Sequence, residues 1–250
     1  MDMEAVMNPD ITVCTCWDGR DYYPKEYINI LHRMVERHTT IPHDFVLYAG
    51  PEAQKPGRCD GINPAIRVVF TGMPSWWNNA KITQPDPVGI RTKNILFLDL
   101  DIVIISNIDR LIEFPSEYAM SVEYPRGHLP VGQERYAMKS RNANIGVTLI
   151  RNNAAAKVWE EYQKAGAPQW DAITTRVHDR GALPLATQTI VNDPKYGIKY
   201  DLFPSDWVAS YKYQVLKRGI PKDCMIIHFH GRPKPHEVLD REPWVKENWK

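Results

Sequence analysis

The chain has 250 residues, of which 43% are hydrophobic and 24% charged, with a formal net charge of +1. That balance suits one folded unit with a large core, and so small a net charge supplies no field to draw nucleic acid or an anionic membrane. The four cysteines (Cys14, Cys16, Cys59 and Cys224) form no C-x-x-C pair, which excludes a zinc ribbon.

Reduced core cysteines fit a cytoplasmic protein. The opening residues MDMEAVMNPD lack the apolar stretch of a secretory signal. From there the expected elements alternate. ITVCTCW (11–17) reads as a strand, being apolar and β-branched. YPKEYINILHRMVERH (23–38) places Tyr27, Ile30, Leu31 and Met34 on one helical face, with Pro24 suited to the first turn. Strands follow at 44–50 and 66–72, after a loop rich in glycine, proline and charge at 49–61. ILFLDLDIVII (95–105) is read as one long buried strand, too short and too charged to cross a bilayer. Further strands are expected at 118–123, 144–150 and 224–230, and a loop at 125–142. Helices are expected at 152–166 and 187–194, with a last turn or two in REPWVKENWK. Near-continuous Val/Ile/Leu strands are the pattern of strands covered on both faces. The expected fold class is therefore α/β, a mixed and mostly parallel central sheet flanked by helices, in a single domain over 1–250. Its first part, of alternating elements, is expected at about 10–125 and its second, more mixed part at about 126–250.

The strand at 95–105 raises a chemical question. Asp99 and Asp101, two residues apart, share one face of a strand, and two carboxylates there repel each other and lose hydration. A divalent cation with oxygen ligands, Mg²⁺ or Mn²⁺, relieves both costs. A second cluster, IIHFHGRPKPHE (226–237), ends another strand with His228 and His230, then turns at Gly231 into Arg232 and Lys234. Histidine beside a cationic loop suits a phosphate-bearing ligand held by a metal and a lysine.

These motifs in this order resemble glycosyltransferase family 8, the glycogenin and bacterial galactosyltransferase group with the GT-A fold. The matching stretches are ILFLDLDIVIISNIDRLIEF (95–114), NANIGVTLIR (142–151) at Asn144, Gly146 and Val147, TQTIVND (187–193) at Gln188 and Asn192, and HFHGRPKPH (228–236) at His228, Gly231, Lys234 and Pro235. SDWVASYKY (205–213) and WWNNAK (76–81) resemble a small bacterial branch. The chain departs from the pattern at Ala186, at Thr187, where an acidic residue is usual, and at His236, where tryptophan is usual.

The resemblance implies transfer from a nucleotide-sugar donor, UDP-linked, to a glycan or glycoconjugate acceptor, with retention at the anomeric carbon. Asp99, Asp101 and His228 would hold the Mn²⁺ or Mg²⁺. Lys234 and the Gly231 amide would stabilise the departing diphosphate. Asn144, Gly146 and Gln188 would face the donor sugar. Ligands of open α/β sheets bind at the carboxyl ends of the strands, so Thr15, Trp17 and Tyr22 are the expected nucleoside contacts. Lys81 and Arg91, ahead of the metal strand, are further phosphate candidates. No nucleic-acid partner and at most peripheral membrane contact are expected. Two other readings fit part of the pattern: a catalytically silent nucleotide-sugar or glycan-binding protein of the same fold, and a haloacid-dehalogenase-like phosphatase using the same D-x-D.

Overall fold

The computed structural model describes residues 10–73, 80–123, 143–164 and 187–250. The expected loop at 125–142, most of WWNNAK and the end of the helix expected at 152–166 lie outside them.

Among the described residues, ten strands form two sheets. β1 (Ile11–Trp17), β2 (His43–Ala49), β3 (Arg67–Phe70), β4 (Asn94–Leu98), β6 (Tyr118–Val122), β7 (Ala143–Arg151) and β8 (Asp201–Leu202) make a seven-stranded sheet in the order β3-β2-β1-β4-β7-β6-β8. All its neighbouring pairs are parallel except β4–β7 and β7–β6. β5 (Ile102–Ile104), β10 (Ile226–His228) and β9 (Val208–Ser210) make a three-stranded sheet. The helices are α1 (Glu26–His38), α2 (Asp109–Ile112), α3 (Ala156–Lys164), α4 (Thr187–Asn192), α5 (Leu216–Arg218) and α6 (Pro243–Asn248).

The period of two explains why the large sheet is covered on both sides. Ile11 and Val13 of β1, Phe45 and Leu47 of β2, and Leu96 and Leu98 of β4 pack into one core, together with Ile28, Leu31 and Val35 of α1. Their alternates Cys14, Val46, Tyr48, Ile95 and Phe97 pack into a second core with Val158 and Tyr162 of α3 and Ile190 of α4.

The long strand expected at 95–105 is in fact two. The chain leaves the large sheet after Leu98, turns through Asp99–Asp101 and enters the small sheet at Ile102. The two aspartates thus sit at a break in the chain, not along one strand. Apolar residues on both sides hid the break, because each half is buried in its own sheet and periodicity carries no mark of a change of sheet.

Candidate active site at the carboxyl edge of the large sheet

β7 runs antiparallel to both β4 and β6, so its first residues lie at the same edge as the ends of β4 and β6. β7 departs from regular pairing there. Met120 faces Thr148 while the next residue, Ser121, faces Asn144. Such an irregularity re-aims side chains at a strand end. It brings Asn144 and Gly146 beside the turn that carries Asp99, whose amide donates to the Gly146 carbonyl at 2.8 Å. From the other sheet, antiparallel pairing sets His228 opposite Ile102, and the Phe229 amide donates to the Asp101 carbonyl at 2.8 Å.

Asp99, Asp101 and His228 therefore meet, each with one potential ligand atom within 4.8 Å of the others. His228 Nε2 lies 3.1 Å from Asp101 Oδ1 and 3.6 Å from Asp99 Oδ2. Two carboxylates and an imidazole suit Mn²⁺ or Mg²⁺. The space they face exists because residue 146 is glycine: a Cβ there would stand 2.3 Å from His228 Cε1 and 2.7 Å from Asp99 Oδ2.

The two aspartates differ sharply. The Asp99 side chain is 39% exposed, that of Asp101 only 7%. Lys234 Nζ donates to Asp101 Oδ2 at 2.5 Å, and the Tyr23 hydroxyl donates to the same oxygen at 2.9 Å. Burial alone would raise the Asp101 carboxyl, but the charges and hydrogen bonds of His228 and Lys234 hold it well below the usual range. Desolvation, and then the Asp101 charge, push Asp99 up to about 6. Burial disfavours the His228 imidazolium, yet the two carboxylates outweigh it and raise the group. Burial and then the Asp101 charge raise the Tyr23 phenol. The two like charges are thus tolerated partly by cations of the chain itself.

Lys234 is placed by a 3₁₀ turn, Pro235–Val238, in which its amide donates to Glu237 Oε2 at 2.6 Å. Gly231, at φ +65°, lets the chain turn between His228 and Lys234. His230 packs its ring 3.8 Å from that of His228, centroid to centroid, but is not among the three clustered ligands.

The carboxylate that sequence reasoning missed is Glu123, one residue past β6. Its Oε2 accepts from Asn144 Nδ2 at 2.6 Å and from Gln188 Nε2 at 2.9 Å. The Asn144 Oδ1 in turn accepts from the Gly146 amide at 2.8 Å. Asn192 fixes α4 to β7 by pairing with the Ala143 backbone in both directions, at 2.7 and 2.8 Å. An acidic residue closing an apolar strand was the available signal for Glu123. Its meeting with Asn144 and Gln188 depends on pairings that no local pattern carries. Tyr23 was missed beside the chosen Tyr22 for the same reason.

The other expected contacts divide. Tyr22 is exposed, and its ring lies 5.2 Å from Lys234 Nζ. Thr15 and Trp17 are buried; Trp17 Nε1 donates to the Tyr23 carbonyl at 2.8 Å and so supports the loop from beneath, while the buried Thr15 Oγ1 has no hydrogen-bond partner among the described residues. Lys81 sits over the Trp159 ring at 5.1 Å. Arg91 lines a cavity of about 290 Å³ with Lys93, Asn152 and Asn153. That cavity lies at the start of β4 and the end of β7, the edge opposite Asp99.

No protein-family profile matches the chain. No curated protein matches it in sequence. Solved structures do match in fold. A galactosyltransferase, LgtC, in complex with donor and acceptor sugar analogs superposes with a TM-score of 0.57 at 14% identity, over 96% of each chain. The glycosyltransferase GlyE of Streptococcus pneumoniae gives 0.55 at 17% identity, over 97% of this chain and 61% of GlyE. A glycosyltransferase involved in glycosylation of the major capsid of PBCV-1 gives 0.52 at 13% identity, over 96% of this chain and all of that one. The fold of this chain is the GT-A fold of these glycosyltransferases.

Proposed function

We propose that the protein is a metal-dependent glycosyltransferase that moves a sugar from a nucleotide-sugar donor, UDP-linked, to a glycan or glycoconjugate acceptor with retention, and that the whole chain acts as one catalytic domain. The observation that carries this reading is the meeting of Asp99, Asp101 and His228 at the carboxyl edge of a GT-A sheet. Asp99, Asp101 and His228 would hold Mn²⁺ or Mg²⁺. When bound, such an ion supplies Lewis-acid stabilisation of a departing diphosphate.

The chain's own groups take the remaining roles. Lys234 adds positive charge, and the Gly231 amide a hydrogen-bond donor, where the leaving group forms. Asn144 and Gln188 present amides to the donor sugar, and Glu123 orients both. Buried Thr187 stands where the family resemblance leads one to expect an acidic residue, and among the described residues Glu123 is the carboxylate that pairs with both Asn144 and Gln188. With Oε2 already accepting two hydrogen bonds, Glu123 is suited to orientation, and attack from the same face as the departing group is the default route. Tyr22 offers its exposed ring to the nucleoside. The phosphatase reading draws no support from the topology, in which the D-x-D follows the fourth strand rather than the first.

The test is calorimetric titration of UDP into the protein with Mn²⁺ and with EDTA, followed by a screen of UDP-sugars for transfer or hydrolysis. Metal-dependent UDP binding, lost in Asp99→Asn, and turnover of one donor are expected. Tight metal-dependent binding without turnover of any donor would instead favour the silent binding protein. No UDP binding in either condition would overturn the UDP assignment.

A further inference from the structure

We propose that Lys234 stands in for the charge of the divalent cation at Asp101, so that cation and nucleoside diphosphate load this site together and neither loads well alone. The ligand identities rest on the function proposed above; the pairing of Lys234 with Asp101 does not.

The ammonium has three protons, and three acceptors surround it: Asp101 Oδ2 at 2.5 Å, the Tyr23 hydroxyl at 2.7 Å and the Phe229 carbonyl at 3.5 Å. Tyr23 closes the triangle by donating to the same Asp101 oxygen at 2.9 Å. The Tyr23 ring also lies 4.7 Å from the ammonium, within cation–π range. The group is buried, and protein atoms supply the acceptors around it. On the other side of Asp101, Oδ1 faces His228 Nε2 at 3.1 Å. The more buried carboxylate of the pair is therefore already neutralised.

A divalent cation arriving alone meets a carboxylate engaged by Lys234 and a positive charge held close by, in surroundings where water screens little. A diphosphate arriving alone finds its lysine committed to Asp101. Arriving together, the diphosphate gives Lys234 new acceptors, and Asp101 is released to the cation. Lys234 sits on a side chain long enough to change partner, and its backbone stays anchored through Glu237. The expected consequence is positive coupling between the two ligands, and coupling of this kind is reciprocal.

Mn²⁺ binding to the full chain, followed by electron paramagnetic resonance and calorimetry with and without saturating UDP, tests the idea in the wild type, Lys234→Met and Tyr23→Phe. In the wild type, UDP should tighten Mn²⁺ binding by about tenfold or more, and Mn²⁺ should tighten UDP by the same factor. Lys234→Met should bind Mn²⁺ alone about tenfold more tightly than the wild type, with the coupling reduced towards one. Tyr23→Phe keeps every charge and removes one acceptor from Lys234. It should move Mn²⁺ affinity in the same direction by a smaller factor, and it carries the test if Lys234→Met does not fold.

Unchanged or weaker Mn²⁺ binding in the two variants would overturn the proposal and make Lys234 a positioning residue for Asp101. Equal Mn²⁺ affinity with and without bound UDP in the wild type would also overturn it and, by reciprocity, would remove the metal dependence proposed for UDP binding, while UDP binding itself would still support a nucleotide-sugar donor. If UDP binds under no condition while Lys234→Met still tightens Mn²⁺, the UDP assignment fails and the stand-in role of Lys234 holds, with inorganic pyrophosphate the probe that then replaces UDP.

Discussion

The two ends of β4 carry charge under opposite conditions. Where the strand begins, Arg91 and Lys93 are exposed at the rim of a cavity. Where it ends, Asp101 is buried, and three side chains converge on it. Water solvates the first pair at little cost, whereas the chain must supply partners for the second. A burial that costs this much is sustained where it holds a site in shape, and the other clustered residues lie at that end.

The largest effect should come from breaking the buried end. Asp101→Asn leaves Lys234 and His228 buried without their counter-charge and should cost about 3–5 kcal/mol of stability in urea unfolding. Asp99→Asn, at the more exposed member of the pair, should abolish metal-dependent UDP binding yet cost no more than about 1 kcal/mol. Equal stability losses for the two would erase the distinction drawn between them.

Gly146→Ala probes the space between the two carboxylates. The added methyl must displace His228 or Asp99, with an expected cost of about 1–3 kcal/mol and loss of Mn²⁺-dependent UDP binding, readable by calorimetry. Normal binding in this variant would mean the ligand seat lies elsewhere.

Asp109 sharpens the comparison from outside the site. It accepts from Thr39 Oγ1 at 2.5 Å, Thr40 Oγ1 at 2.6 Å, and the Thr40 amide and Asn107 Nδ2 at 3.0 Å each. Partial burial opposes ionisation, but these hydrogen bonds prevail and lower the carboxyl to about 2. A lowered carboxyl stabilises the fold above its unfolded value of 3.8, and that contribution fades as pH falls towards 2. Asp109→Ala should therefore cost about 1–2 kcal/mol at pH 6, and the gap from wild type should narrow between pH 4 and pH 2 in urea titrations. A gap independent of pH would assign the loss to packing alone.

The smallest effect is expected at the open end. Arg91→Ala and Lys93→Ala should each change stability by no more than about 0.5 kcal/mol and leave UDP binding unchanged. A loss of UDP binding in either would place phosphate contacts at the wrong edge of the sheet and undo the contrast.

Much of this could be read from the residues in order. The apolar runs located β1, β2, β6 and β7 to within a residue or two, and the spacing of Tyr27, Ile30, Leu31 and Met34 located α1. These features are local: alternation and helical spacing report which face of a single element is buried. The D-x-D and the histidine cluster were also visible, because charged groups at the ends of apolar strands are chemically conspicuous, whereas Asn144 and Gln188 were picked out only through the family resemblance.

Tertiary structure decided the rest. It divided the run at 95–105 between two sheets and gave Asp99 and Asp101 different surroundings. It brought Glu123 to Asn144 and Gln188, and Tyr23 to Asp101 and Lys234, across separations of 21 to 211 residues. It also buried Thr15 and Trp17 at the strand end, where nucleoside contacts were expected. The physical reason is common to all of these. A residue's own sequence sets how it prefers to be buried. Which distant group it meets there depends on strand register and sheet order, which belong to the whole fold.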